Sequence, residues 1–101
     1  EPRTTPSRTS PMPLYLVIER FKSGNPSAVG KRFRARGRLM PPGSGVEYVD
    51  SWMTPDGTAC YQLNRAPSRH ALDQWIANWS DLVDFEIHEV FPSKEFWANS
   101  T

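Results

Sequence analysis

VEYVDSWMTPDGTACYQLNR, residues 46–65, reads as a β-hairpin. Aromatic and β-branched residues flank Thr54-Pro55-Asp56-Gly57, which has proline and glycine where a tight turn prefers them. A helix signal lies on either side of this hairpin. Upstream, Asn25 offers a side-chain cap and Pro26 suits the first helical position. Downstream, Ser68 caps a segment whose apolar residues Ala71, Leu72, Trp75, Ile76 and Trp79 share one helical face. Outside both helices stand two more strand-like runs, Leu14–Phe21 (LYLVIERF) and Asp84–Phe91 (DFEIHEVF). Strand, helix, hairpin, helix, strand is the split βαβ order. It predicts an α+β, ferredoxin-like fold: a four-stranded antiparallel sheet with two helices on one face.

The first run is apolar on both alternate faces as far as Ile18, which marks a central strand covered on two sides. The first helix is expected to reach about Leu39, with Val29, Phe33 and Met40 inward and Lys31, Arg32, Arg34, Arg36 and Arg38 on the remainder. PPGSG, residues 41–45, then opens a loop. Residues 92–101 are expected to add a short helical turn through Phe96 and Trp97. Residues 1–11 (EPRTTPSRTSP) hold no large apolar side chain and are expected to form a disordered tail before a single domain over residues 12–101.

A chain of 101 residues suits one core. Its net charge of +1 argues against a generic nucleic-acid or membrane-surface binder, but the charges are unevenly spread. Residues 1–40 carry nine basic and two acidic side chains, and residues 41–101 carry three basic and nine acidic ones. A basic element facing an acidic one, within the chain or across a dimer, accounts for this. The single cysteine, Cys60, excludes an intrachain disulfide and fits a reducing compartment. With no apolar run long enough for a membrane span, the expected location is cytoplasmic, and no cofactor, metal, nucleic acid or membrane is expected.

The sheet face away from the helices is assigned by alternation to Tyr15, Val17, Glu19 and Phe21; Tyr48, Asp50 and Trp52; Cys60, Gln62 and Asn64; and Glu86, His88 and Val90. Such an aromatic face is expected to be covered, most simply by a second copy in a two-fold homodimer that encloses a cavity.

VIERF (17–21), RFRARGR (32–38), YVDSW (48–52) and QWIANWSDLVDFEI (74–87) together resemble a family of small bacterial proteins known only as a domain of unknown function. The resemblance spans roughly Met12 to Pro92. It implies a relationship to the dimeric α/β-barrel superfamily, ferredoxin-like domains that pair sheet to sheet. That superfamily includes cofactor-free monooxygenases, isomerases, cyclases, haem-handling enzymes and non-catalytic members, so the fold alone does not choose a function.

The candidate site takes one polar residue from each strand: Glu19, Asp50, Gln62 and His88. Glu19 and His88 form the acid/base candidate pair, since a carboxylate beside an imidazole can exchange protons near neutral pH. The bland alternative is mutual satisfaction or a place at a dimer rim. Tyr15, Tyr48 and Trp52 would wall a planar ligand, or merely pack. Arg32 and Arg36, one helical turn apart, would clamp a carboxylate or phosphate, or form a solvated face. Cys60 reads as a small packing residue, and His70 as a surface one. The resulting expectation is a dimeric barrel that binds a small aromatic or acidic metabolite, with cofactor-free isomerase, cyclase or monooxygenase chemistry. A non-catalytic interaction or regulatory module is the alternative.

Overall fold

A computed structural model of the chain describes residues 12–98. The tail expected at residues 1–11 lies outside the described residues. The elements follow the order β1 (Leu14–Phe21), α1 (Pro26–Arg36), β2 (Glu47–Met53), β3 (Ala59–Arg65), α2 (Arg69–Ile76), β4 (Val83–Val90) and α3 (Ser93–Ala98). A single 3-10 turn, Lys22–Gly24, joins β1 to α1. The four strands form one antiparallel sheet in the order β2-β3-β1-β4, so the twice-apolar β1 is internal, as its sequence requires.

Local chemistry fixes the boundaries. The Asn25 side chain accepts from the Ser27 backbone N–H at 2.9 Å, and Ser68 Oγ accepts from that of Ala71 at 3.1 Å, each satisfying a donor that a helix start leaves open. In the hairpin turn the Asp56 carboxylate accepts from Thr54 Oγ1, Thr58 Oγ1 and the Thr58 backbone, and these bonds hold its pKa below the usual range. Helix α1 ends at Arg36, short of the expected Leu39, because Gly37 takes φ 69° and ψ −157° and turns the chain away.

The core lies on the helix side of the sheet. Tyr15, Val17 and Phe21 of β1 pack with Leu72, Trp75 and Trp79 from α2 and its following turn, and Val17 and Leu72 are fully buried. α1 contributes only partly buried residues to this core, chiefly Val29, and none of its residues is fully buried. The division of charge along the sequence is resolved by pairing across it: Arg20 meets Glu86, Lys22 meets Asp84 and Arg32 meets Asp81.

The expected sheet faces need correction. Glu19 pairs with Cys60 and Phe85, and Val17 with Gln62 and Ile87, so Tyr15, Val17, Glu19, Phe21, Cys60, Gln62 and Asn64 face the helices. Ile18, opposite Tyr61 and Glu86, belongs to the other face, with His88 beside Leu16. In β2 the register shifts between Tyr48 and Asp50. This β-bulge puts Tyr48 on the helix side and leaves Asp50 and Trp52 on the open side.

Candidate functional site

Because α1 stands off the sheet, a cavity of about 340 Å³ remains between them. Protein interiors rarely leave such room unfilled. The floor is Glu19, Cys60 and Gln62 from the two central strands; α1 supplies Val29 and Phe33, and Trp75 and Trp79 close one side. Arg38, just beyond α1, borders the same space. The four segments that carry the family resemblance converge on it: Glu19 and Phe21, Phe33 and Arg38, Ser51, and Trp75 and Trp79.

Glu19 is the most perturbed acid. Burial pushes its carboxyl from an ordinary 4.5 up to about 7, and the nearby Arg38 charge pulls in the opposite direction. A carboxyl titrating there can take or give a proton at neutral pH. Burial, and then the Glu19 charge, push the Cys60 thiol up to about 11, so it stays protonated and is no nucleophile. Gln62 Nε2 donates to Asn64 Oδ1 at 3.1 Å. The Asn64 amide nitrogen, fully buried, finds no acceptor among the described residues, which makes this pair an under-satisfied polar couple next to the cavity.

Arg38 is held from several directions. Its carbonyl oxygen accepts both the Trp75 indole N–H, at 2.9 Å, and that of Trp79, at 2.8 Å. Its guanidinium carbon lies 3.6 Å from the centre of the Tyr48 ring and 5.0 Å from that of Phe33. Tyr48 is fixed in turn by a 2.8 Å hydrogen bond between its hydroxyl and Ser51 Oγ. Gly37 and Leu39, on either side of Arg38, both have positive φ, which glycine adopts freely but which at Leu39 persists only because the surroundings enforce it.

The expected site residues are therefore divided. Glu19 and Gln62 share the cavity, and Tyr48 supports its rim through Arg38 and Ser51. Tyr15 is a buried core residue. Glu19 and His88 lie on opposite faces of the sheet and cannot form the expected pair. His88 Nε2 instead meets Glu86 Oε2 at 2.7 Å, while Glu86 Oε1 accepts from Arg20 at 2.7 Å, all on the exposed face. Asp50 accepts from the Ser51 backbone and Trp52 is exposed, both away from the cavity.

Arg32 is already engaged as a clamp, with two bonds of 2.8 and 2.7 Å to the Asp81 carboxylate and a third to the Asn78 carbonyl, and Arg36 does not share that acceptor. Sequence reading missed Arg38, Trp75 and Trp79 as site residues. One signal was present: two buried indoles four residues apart each require an acceptor for their N–H.

The fold and its cavity define a small α+β domain in which a neutral-range carboxyl lines a partly open pocket. By its match to the family described as Domain of unknown function (DUF3303), over residues 13–100, the chain belongs to that family. No curated protein and no solved structure matches it. No helix among the described residues is long and apolar enough to cross a membrane.

Proposed function

We propose that the chain binds a small molecule in the cavity beneath α1 and that Glu19 exchanges a proton with it, in cofactor-free chemistry of the isomerase or cyclase type. The carrying observation is the Glu19 carboxyl, brought to about 7 on the floor of a mainly apolar cavity of about 340 Å³. The volume falls at the small end of ligand pockets, which run from roughly 300 to 1,000 Å³. Gln62 orients the bound molecule, Trp75 and Trp79 wall it, and α1 covers it in part. As base, Glu19 takes a proton from a carbon made acidic by a neighbouring carbonyl; as acid, it returns that proton elsewhere on the same molecule, so atoms and charge balance.

The test follows metabolites that shift the Trp75 and Trp79 indole N–H resonances, incubated with the protein in deuterated water. A bound substrate should exchange a C–H for deuterium with the wild type, and at least about a hundredfold more slowly with Glu19→Gln. Equal exchange by the variant, or no metabolite that moves the indoles, would refute this reading.

The strand order β2-β3-β1-β4, with α1 and α2 against one face, supports a ferredoxin-like arrangement. The exposed Tyr61 and Trp52, beside the partly buried Leu16 and Leu63, give the opposite face an apolar stripe, which favours its burial by a second copy of the chain. Light scattering at low micromolar concentration should then give twice the mass of 11.5 kDa, and Leu16→Lys should return the monomer. A wild-type monomer would favour a different protein as the occupant of that face.

A further inference from the structure

We propose that Arg38 is the anion anchor of this cavity, and that the molecule it holds is a compact monocarboxylate with an apolar or aromatic body. The inference rests on the cavity being a ligand site and names the chemical class it takes.

Three arginines are partly buried among the described residues: Arg32, Arg38 and Arg65. Arg32 meets the Asp81 carboxylate, and Arg65 donates to the Met12 carbonyl. The Arg38 guanidinium donates to no described group; its contacts are the two ring faces of Phe33 and Tyr48. Ring faces steady a cation but leave its in-plane N–H donors unused, and a guanidinium offers five of them in a fork that matches a carboxylate. Arg38 is partly shielded from water at the cavity rim, and an anionic ligand would engage the donors that the ring contacts leave open.

The backbone is built to hold this cation still. Two indole donors share the Arg38 carbonyl and hold its backbone, and the Phe33 and Tyr48 rings steady the guanidinium, so the residue is positioned at the cavity wall before any ligand arrives. Burial raises the Glu19 carboxyl to about 7 against the pull of Arg38, so Glu19 offsets this cation only as pH rises through that value.

The remaining wall specifies the rest of the molecule. Phe21, Val29, Trp75 and Trp79 offer apolar and aromatic surface. A volume of about 340 Å³ lies at the small end of ligand pockets, so the ligand is compact. Two cavity groups then divide the work: Arg38 takes the carboxylate, and Glu19 reaches a polar or acidic position on the body.

Phenylacetate, its neutral amide phenylacetamide and the cationic phenethylamine share one shape and differ in charge. Each would be titrated into the full chain while the indole N–H resonances of Trp75 and Trp79 are followed. Phenylacetate should shift both saturably, with the amide at least about tenfold weaker and the amine without effect. Arg38→Met should lose at least about tenfold in phenylacetate affinity, and Arg38→Lys should recover part of it. Both variants keep the carbonyl that the two indoles bond, and the three-probe comparison on the wild type needs no variant. Equal binding of acid and amide, or full phenylacetate affinity in Arg38→Met, would overturn the anion anchor while leaving a ligand cavity in place. Binding of none of the three would overturn the anchor, and whether the cavity binds other molecules would still be read from the metabolite and deuterium-exchange experiment.

Discussion

Glu19 of β1 and Cys60 of β3 stand directly opposite each other in the antiparallel ladder, and both border the cavity beneath α1. The Glu19 charge raises the cost of ionising Cys60. Burial and the Glu19 charge move the Cys60 thiol from 9.0 to about 11, which lowers its thiolate fraction at neutral pH roughly a hundredfold. Alkylation by iodoacetamide at pH 7.5 should therefore be slower in the folded protein than in the chain unfolded by urea, by about that factor. Glu19→Gln removes the second cause and should speed the folded-state reaction. Equal rates in folded and unfolded protein would show that the thiol is not shielded as described.

Stability should depend on pH through Glu19. Its folded pKa, about 7, exceeds the ordinary 4.5, so the folded state binds the proton more tightly and ionisation favours unfolding. The contribution is fully present below about 4.5 and is lost as pH rises through about 7. At 1.36 kcal/mol per pKa unit the loss is at most on the order of 3 kcal/mol, and less in practice because the cavity is partly open to solvent. Urea denaturation between pH 5 and pH 8 should show the wild type weakening relative to Glu19→Gln. Parallel curves for the two proteins would contradict the burial of this carboxyl.

The two indoles on one carbonyl predict a coupled pair. Trp75→Phe or Trp79→Phe removes one donor but leaves the Arg38 oxygen paired by the other, so each should cost about 1–2 kcal/mol, including lost packing. The double variant strands a part-buried carbonyl and should cost more than the sum, with a coupling of about 0.5–1 kcal/mol. Additive losses in chemical denaturation would mean that the shared acceptor has no energetic consequence.

Element order was legible because the relevant signals are local. Asn25-Pro26, Ser68 and the Thr54–Gly57 turn act through neighbouring backbone groups, and each begins or turns an element where expected. The facing of the strands was not legible, for two physical reasons. β1 is apolar at both parities from Leu14 to Ile18, so alternation within it cannot say which set meets the helices. In β2 a single bulged position separates Tyr48 from Asp50 and Trp52, and nothing in YVDSW announces it.

The candidate site inherits both effects. Glu19 and Gln62 were brought together because they share a parity and a cross-strand neighbourhood. His88 was assigned to them only through an assumed match between β4 and β1, and the register places it beside Leu16 instead. In a helix continued to Leu39, Arg38 would be one more solvated cation. Its role depends on the chain leaving the helix at Gly37.

Gly37 has φ 69° and ψ −157°, a region open in practice only to glycine, and a Cβ added there would meet nothing within 4 Å. The cost of Gly37→Ala is therefore conformational and not steric, about 1–3 kcal/mol, with Tm lower by roughly 4–8 °C per kcal/mol. A variant that relaxes its backbone instead must rotate the Arg38 carbonyl, and the two indole bonds, Trp75 to Arg38 and Trp79 to Arg38, report that motion. Gly43→Ala is the matching control, since Gly43 also has positive φ and open space but lies in the loop after Pro41. Both variants should lower Tm, while only Gly37→Ala should move the Trp75 and Trp79 indole N–H resonances. If Gly43→Ala moved them equally, the indoles would be reporting general loosening, and the turn at Gly37 would not be what positions Arg38.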